Sequence, residues 1–224
     1  MPALYLHNWN VTPQEAIAIQ ERMRHLVERS DRLPPIHTVA GIDVHFNNES
    51  LVAQAAIAVL SFPDLKLIDK SVAQCTVTFP YIPGLFAFRE LPVVLDALAR
   101  LHTSPDIIIC DGHGIAHPRR FGIASHLGVL LDQPTIGVGK TLFVGRHIEL
   151  AREKGSWVPL KDGDEVIGAA VRTRWGVKPV YVSVGHRIAL QTAIRVVMAC
   201  TTHYRLPETT REAHRLASDR SLQV

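Results

Sequence analysis

Apolar residues in this chain recur with two different periods, and the switches between them mark out the elements. From Val39 to Phe46 the period is two. Ala40, Ile42, Val44 and Phe46 share one face of a strand, and Gly41, Asp43 and His45 share the other. The turn signal Asn47-Asn48-Glu49-Ser50 leads into a second strand, Leu51 to Leu60. After Ser61-Phe62-Pro63-Asp64, a third strand lies within Lys66 to Phe79. Three strands joined by tight turns predict an antiparallel meander. Ile107-Ile108-Ile109-Cys110 is different, a continuous apolar run ending in turn residues. Such a run reads as a strand buried on both faces, as parallel sheets require. Thr135 to Val138 is a second short buried strand, and Val166 to Arg172 with Val180 to Val184 add a strand pair.

Helical spacing takes over between these runs. Thr12-Pro13-Gln14-Glu15 opens a helix with a capping signal and a proline at the first helical position. Ala16, Ile19, Met23 and Leu26 then line one apolar face, and Pro34-Pro35 ends the element. A second helix begins at Leu85 and continues from Val93 to Leu101, with a kink or restart expected at Pro92. Ile123 to Leu131, Ala189 to Cys200 and Thr209 to Ser218 are three more, while the region from Gly145 to Asp164 reads as irregular. No linker is long enough to divide the chain. The pattern predicts one α/β domain over residues 1–224, a mixed sheet of meander and parallel strands flanked by helices.

Composition narrows the class without choosing it. The 224 residues are 47% hydrophobic and 20% charged, as ordinary globular proteins are. No apolar stretch approaches the ~20 residues of a membrane span. Met1 to Asn10 shows no secretory signal. Cys75, Cys110 and Cys200 are odd in number and set in apolar contexts, so reduced thiols in a cytoplasmic protein are expected. The formal charge is only +3. Arg119 and Arg120, Lys140, and the trio Arg205, Arg211 and Arg215 concentrate part of the positive charge.

Candidate chemistry rests on carboxylates in unusual places. Asp43 stands in mid-strand, where Asp is disfavoured. Asp111 ends a buried strand and is followed by Gly112-His113-Gly114, the position where α/β sheets gather their ligand sites. If the first and fourth strands are neighbours, the two acids face each other, and Glu90 reaches in from a helix beside them. Three convergent carboxylates repel unless a cation neutralises them, and all-oxygen ligands suit Mg²⁺ or Mn²⁺. The carboxylates are therefore expected within one metal's reach of a common point. Two other signals fail on spacing. Gly137-Val138-Gly139-Lys140-Thr141 lacks the earlier glycine of a phosphate loop, since Pro134 stands there. His113 and His117 are four apart, but Gly114 and Pro118 oppose the helix that a zinc pair would need.

Long motifs in these same places resemble the endonuclease V family. They are Val39-Ala40-Gly41-Ile42-Asp43, Phe79-Pro80-Tyr81-Ile82-Pro83-Gly84, Phe88-Arg89-Glu90 and Asp111-Gly112-His113-Gly114. His117-Pro118-Arg119-Arg120, Gly122-Ile123-Ala124-Ser125-His126 and Pro134-Thr135-Ile136-Gly137-Val138-Gly139-Lys140 belong with them. The resemblance runs from about residue 38 to residue 216. Gly139 departs from an alanine common before the lysine.

The resemblance implies a ribonuclease H-like fold. It also implies cleavage at the second phosphodiester 3′ to a deaminated adenine, leaving 3′-hydroxyl and 5′-phosphate ends. By the same resemblance Asp43, Glu90 and Asp111 are the metal-binding acids, His214 lies near the metal and Lys140 near the scissile phosphate. Tyr81 is the wedge pushed into the duplex, and Pro80, Ile82, Pro83, Gly84 and Leu85 complete its loop. Gly112, Gly122 and Ile123 are expected to approach the displaced base. The implied partner is inosine-containing DNA, met by a monomer without a membrane. An inosine-specific ribonuclease of the same family, and a non-catalytic nucleic-acid-binding relative, are the alternatives. Presence of all three acids counts against the last.

Overall fold

The computed structural model describes residues 6–47 and 51–218. The turn expected at Asn47–Ser50 therefore lies, from Asn48 on, outside the described residues. Strands β1 (Thr38–Asn47), β2 (Val52–Ser61) and β3 (Leu67–Thr76) form the expected meander. β4 (Ile107–Cys110) and β5 (Thr135–Gly139) are the two buried strands, and β6 (Trp157–Asp162), β7 (Glu165–Val171) and β8 (Val180–His186) follow. Among the described residues these join one sheet in the order β3-β2-β1-β4-β5-β8-β7-β6. β1 pairs parallel with β4, and β4 with β5, so the meander and the parallel strands meet at β1. This is the ribonuclease H-like mixed sheet, flanked by helices.

Alternation along β1 sorts its side chains between two layers. Ala40 and Ile42 join a core with α1 (Pro13–Met23), α2 (Phe86–Ala99) and α3 (Ile123–Leu131). On the other face α5 (Glu208–Ala217) lies across β1 and β2, while α4 (Leu190–Ala199) covers the β5–β8–β7 side. α5 sits close because what meets it is small. Ala213, Leu216 and Ala217 pack on Ala56 and Ala58, and Gln54 donates to the Ala217 carbonyl at 3.0 Å. Among the described residues no helix is long and apolar enough to cross a membrane. Cys75, Cys110 and Cys200 are free thiols.

Three local readings change. The capping box at Thr12 forms as expected, with Glu15 Oε2 accepting from the Thr12 N–H at 2.7 Å. The helix stops at Met23, however, and Leu26 is 53% exposed in a short 3₁₀ turn. α2 runs unbroken through Pro92. Proline in a helix interior costs about 3 kcal/mol, but each fully buried side chain returns roughly 1.5–3 kcal/mol. Phe88, Leu91, Val93 and Val94 are all buried around that position, so packing decides. Finally, β6 arises within the region read as irregular. Pro159 hid it. β6 pairs with β7 at one end of the sheet order, and an edge strand tolerates a residue that cannot donate.

Candidate active site

The ladder between β1 and β4 ends at the pair Ile42–Cys110, and one step further lie Asp43 and Asp111. Asp43, midway along β1, therefore stands beside Asp111 where the parallel ladder ends. Gly41, two residues before Asp43, faces α5. A Cβ there would sit 2.1 Å from the carbonyl carbon and oxygen of Thr209. The missing side chain lets α5 approach and brings His214 to Asp43, with 3.0 Å between Nδ1 and Oδ2. Lys140, the first residue after β5, pairs with Asp111.

Glu90 arrives from the opposite layer. It projects from α2 into a cavity of about 110 Å³ at the strand ends, which Asp43 and Asp111 also line. Burial first, then the charges of Asp111 and Asp43, push the Glu90 carboxyl up to about 8. Asp111 is also raised by burial, against the pull of Lys140. The three acids thus share one cavity, as expected, but not one coordination point. Among the described residues no group of three or more His, Cys, Asp and Glu side chains is close enough to hold a metal ion as arranged. Lys140 pairs with Asp111, and His214 with Asp43.

A second cavity, of about 280 Å³, opens beside the first and shares Glu90 and Asp111 with it. Gly84, Gly112, Gly122 and Ile123 line it, as do His113, His117 and Phe143. Gly84 has φ +82°, a conformation that disfavours any side chain. Its carbonyl accepts from Gln20 Nε2 at 3.0 Å, from Arg119 Nη2 at 2.9 Å and from His117 Nε2 at 2.9 Å. His117 Nδ1 accepts the Arg119 N–H at 3.2 Å, which assigns the ring proton to Nε2. Burial pushes both His113 and His117 down to about 4, so both rings are neutral.

Tyr81 is 69% exposed, its ring 5.0 Å from that of Phe86. Pro80 and Pro83 are exposed beside it, and Ile82 packs partly on the core. Leu85 is not brought to either cavity. It is 2% exposed, because the residue that precedes the first turn of α2 turns into the core. Sequence reasoning missed Gln20, whose signal was a polar residue on the buried face of α1, one turn from Ala16. It also missed His117 and Arg119 as anchors of Gly84, since their partner lies more than 30 residues away.

Comparison with known proteins finds relatives over nearly the whole chain. A family model described as Endonuclease V matches residues 21–215. Endonuclease V of Trichormus variabilis is 60% identical over 215 residues, covering 96% of this chain and 97% of that protein. The crystal structure of endonuclease V from Streptomyces avermitilis superposes with a TM-score of 0.91 at 46% identity, covering 96% of this chain and 95% of that one. Endonuclease V from Ciona intestinalis, solved with a 24mer DNA containing an inosine followed by a ribo-adenosine, gives a TM-score of 0.78 at 29% identity, over 91% of this chain and 95% of that one.

Proposed function

This chain belongs to the endonuclease V family, and from that premise we propose a metal-dependent cut in DNA at the second phosphodiester 3′ to deoxyinosine, leaving 3′-hydroxyl and 5′-phosphate ends. The observation that carries the reading is the single cavity lined by Asp43, Glu90 and Asp111, opening beside a glycine-lined pocket.

The donor set fits a hard divalent cation. Three carboxylates face one cavity, and the charges of Asp43 and Asp111 help hold Glu90 at about 8, a repulsion that a cation would relieve. Asp43, Glu90 and Asp111 would hold it, with Mg²⁺ or Mn²⁺ suited to all-oxygen ligands. When bound, such an ion lowers the pKa of water and neutralises phosphate oxygens. His214 steadies one oxygen of Asp43. Lys140 lines the glycine-lined cavity beside Asp111, where it can pair with a backbone phosphate.

A flipped base needs a pocket and something to fill the gap it leaves. Backbone groups at Gly84, Gly112 and Gly122 supply a close wall for the base, and the exposed Tyr81 ring supplies the filler. The hydrogen bonds on the Gly84 carbonyl tie that wall to the wedge loop.

One observation favours a second substrate. The DNA bound by the Ciona protein carries a ribo-adenosine after its inosine, so inosine-containing RNA is the alternative. Discrimination would rest on contacts to the 2′-hydroxyl. End-labelled inosine-containing DNA and RNA, with adenine controls, incubated with protein and Mg²⁺ or Mn²⁺ test both readings. Cutting at the second phosphodiester 3′ to inosine is expected. Cutting that ignores inosine, or none in either polymer, would overturn the proposal.

A further inference from the structure

A third cavity, of about 640 Å³, shares only Asp111 and Lys140 with the glycine-lined pocket. Tyr204, Arg205, Arg211, His214 and Arg215 line it. We propose that this cleft seats the strand 3′ of the cut, with Tyr204 as a stacking platform and Arg211 as a phosphate contact. The inference rests on the reading above. With the lesion in one cavity and the scissile bond at the acids, the strand continues into the cavity that meets them from the other side.

The side chains suit that occupant. Tyr204 lies between α4 and α5 and is 51% exposed. The Arg211 guanidinium carbon sits 3.3 Å from the Tyr204 ring centroid, and Arg211 Nη1 lies 2.6 Å from Glu208. The ring is held in place while half its surface stays open, and a guanidinium with five N–H donors has capacity left for a phosphate. Exposed aromatics beside cations are how single strands are bound without sequence preference. Glu212 is an unfavourable charge in the cleft, offset by Arg215 at 2.8 Å. Arg205 plays another part. It donates to the carbonyls of Lys140, Lys178 and Pro179, so it builds the wall instead of meeting the ligand.

The test uses the full chain in EDTA and labelled single-stranded deoxyinosine oligonucleotides with a common 5′ flank. They end one, three, five or seven nucleotides beyond the second phosphodiester, and adenine twins run in parallel. Wild type is expected to bind about tenfold more tightly as the 3′ flank grows from one to five nucleotides, the order of one base stack. Tyr204→Ala should lose most of that length dependence, and Tyr204→Phe should restore it. Arg211→Gln should lower the slope of log K against log salt by about 0.7, one phosphate on a single strand. Should Tyr204→Ala fail to fold, Tyr204→Leu, apolar but without a ring, carries the same comparison. Equal length dependence in the ringless variant and wild type, or none in wild type, would overturn the proposal. Loss of inosine preference at every length would overturn the lesion reading instead, while the flank series still reports on the cleft.

Discussion

His214 Nδ1 lies 3.0 Å from Asp43 Oδ2, joining the last helix to the middle of the first strand across 171 residues of sequence. The two partners differ in exposure, with the His214 side chain 66% accessible and that of Asp43 13%. That difference separates what their variants should do.

On the proposed metal site, Asp43→Asn should lower the cleavage rate by at least about a thousandfold, because the amide keeps the shape but loses the charge that would hold a cation. His214→Ala should cost only two- to fivefold, since exposed pairs contribute about 0.2–1 kcal/mol. Single-turnover cleavage of inosine-containing DNA measures both. Near-normal turnover in Asp43→Asn would remove it from the metal site.

Tyr81→Ala should leave the thermal midpoint within about a degree of wild type, as expected for an exposed ring away from the core. Discrimination of inosine from adenine in a duplex should fall by roughly 5- to 150-fold, the range for losing about 1–3 kcal/mol of stacking. A variant that unfolds yet keeps its discrimination would assign Tyr81 to packing.

Gly41→Ala should act on the site through α5. The added Cβ meets the Thr209 backbone at 2.1 Å, so the helix must shift. Overpacking costs about 1–3 kcal/mol, and cleavage should fall two- to fivefold, as in His214→Ala, as His214 leaves Asp43. Urea melts with parallel cleavage assays separate the two effects. Full activity would show that α5 need not lie this close.

His113 and His117 predict a pH dependence of stability. Their folded values, about 4, lie below the ordinary 6.5, so the folded state binds fewer protons between those limits. Their contribution is complete above pH 6.5 and is lost as pH falls toward 4, roughly 3 kcal/mol for each ring. Glu90 acts in the opposite sense, because its folded value is raised to about 8. The decisive quantity is therefore the difference between wild type and His117→Gln in urea unfolding from pH 7 to pH 4.5. Wild type should lose stability more steeply by close to one proton. Parallel curves would mean that His117 is not held neutral.

The sequence by itself determined the meander, the buried parallel strands and the anomaly of Asp43, because alternation and apolar runs depend on neighbours along the chain. It also carried the family motifs, and with them the acids and Tyr81. Tertiary structure alone decided that α2 passes through Pro92, since the burial that outweighs the proline comes from distant partners. It decided that Leu85 faces the core, that β6 forms around Pro159 at a sheet edge, and that Lys140 pairs with Asp111 and His214 with Asp43. The Gly84 carbonyl shows the reason most plainly. Its three donors come from Gln20, His117 and Arg119, at separations of 64, 33 and 35 residues. Local periodicity records which face a residue prefers, whereas a contact between such positions exists only once helices and sheet have packed and left that carbonyl no other partner.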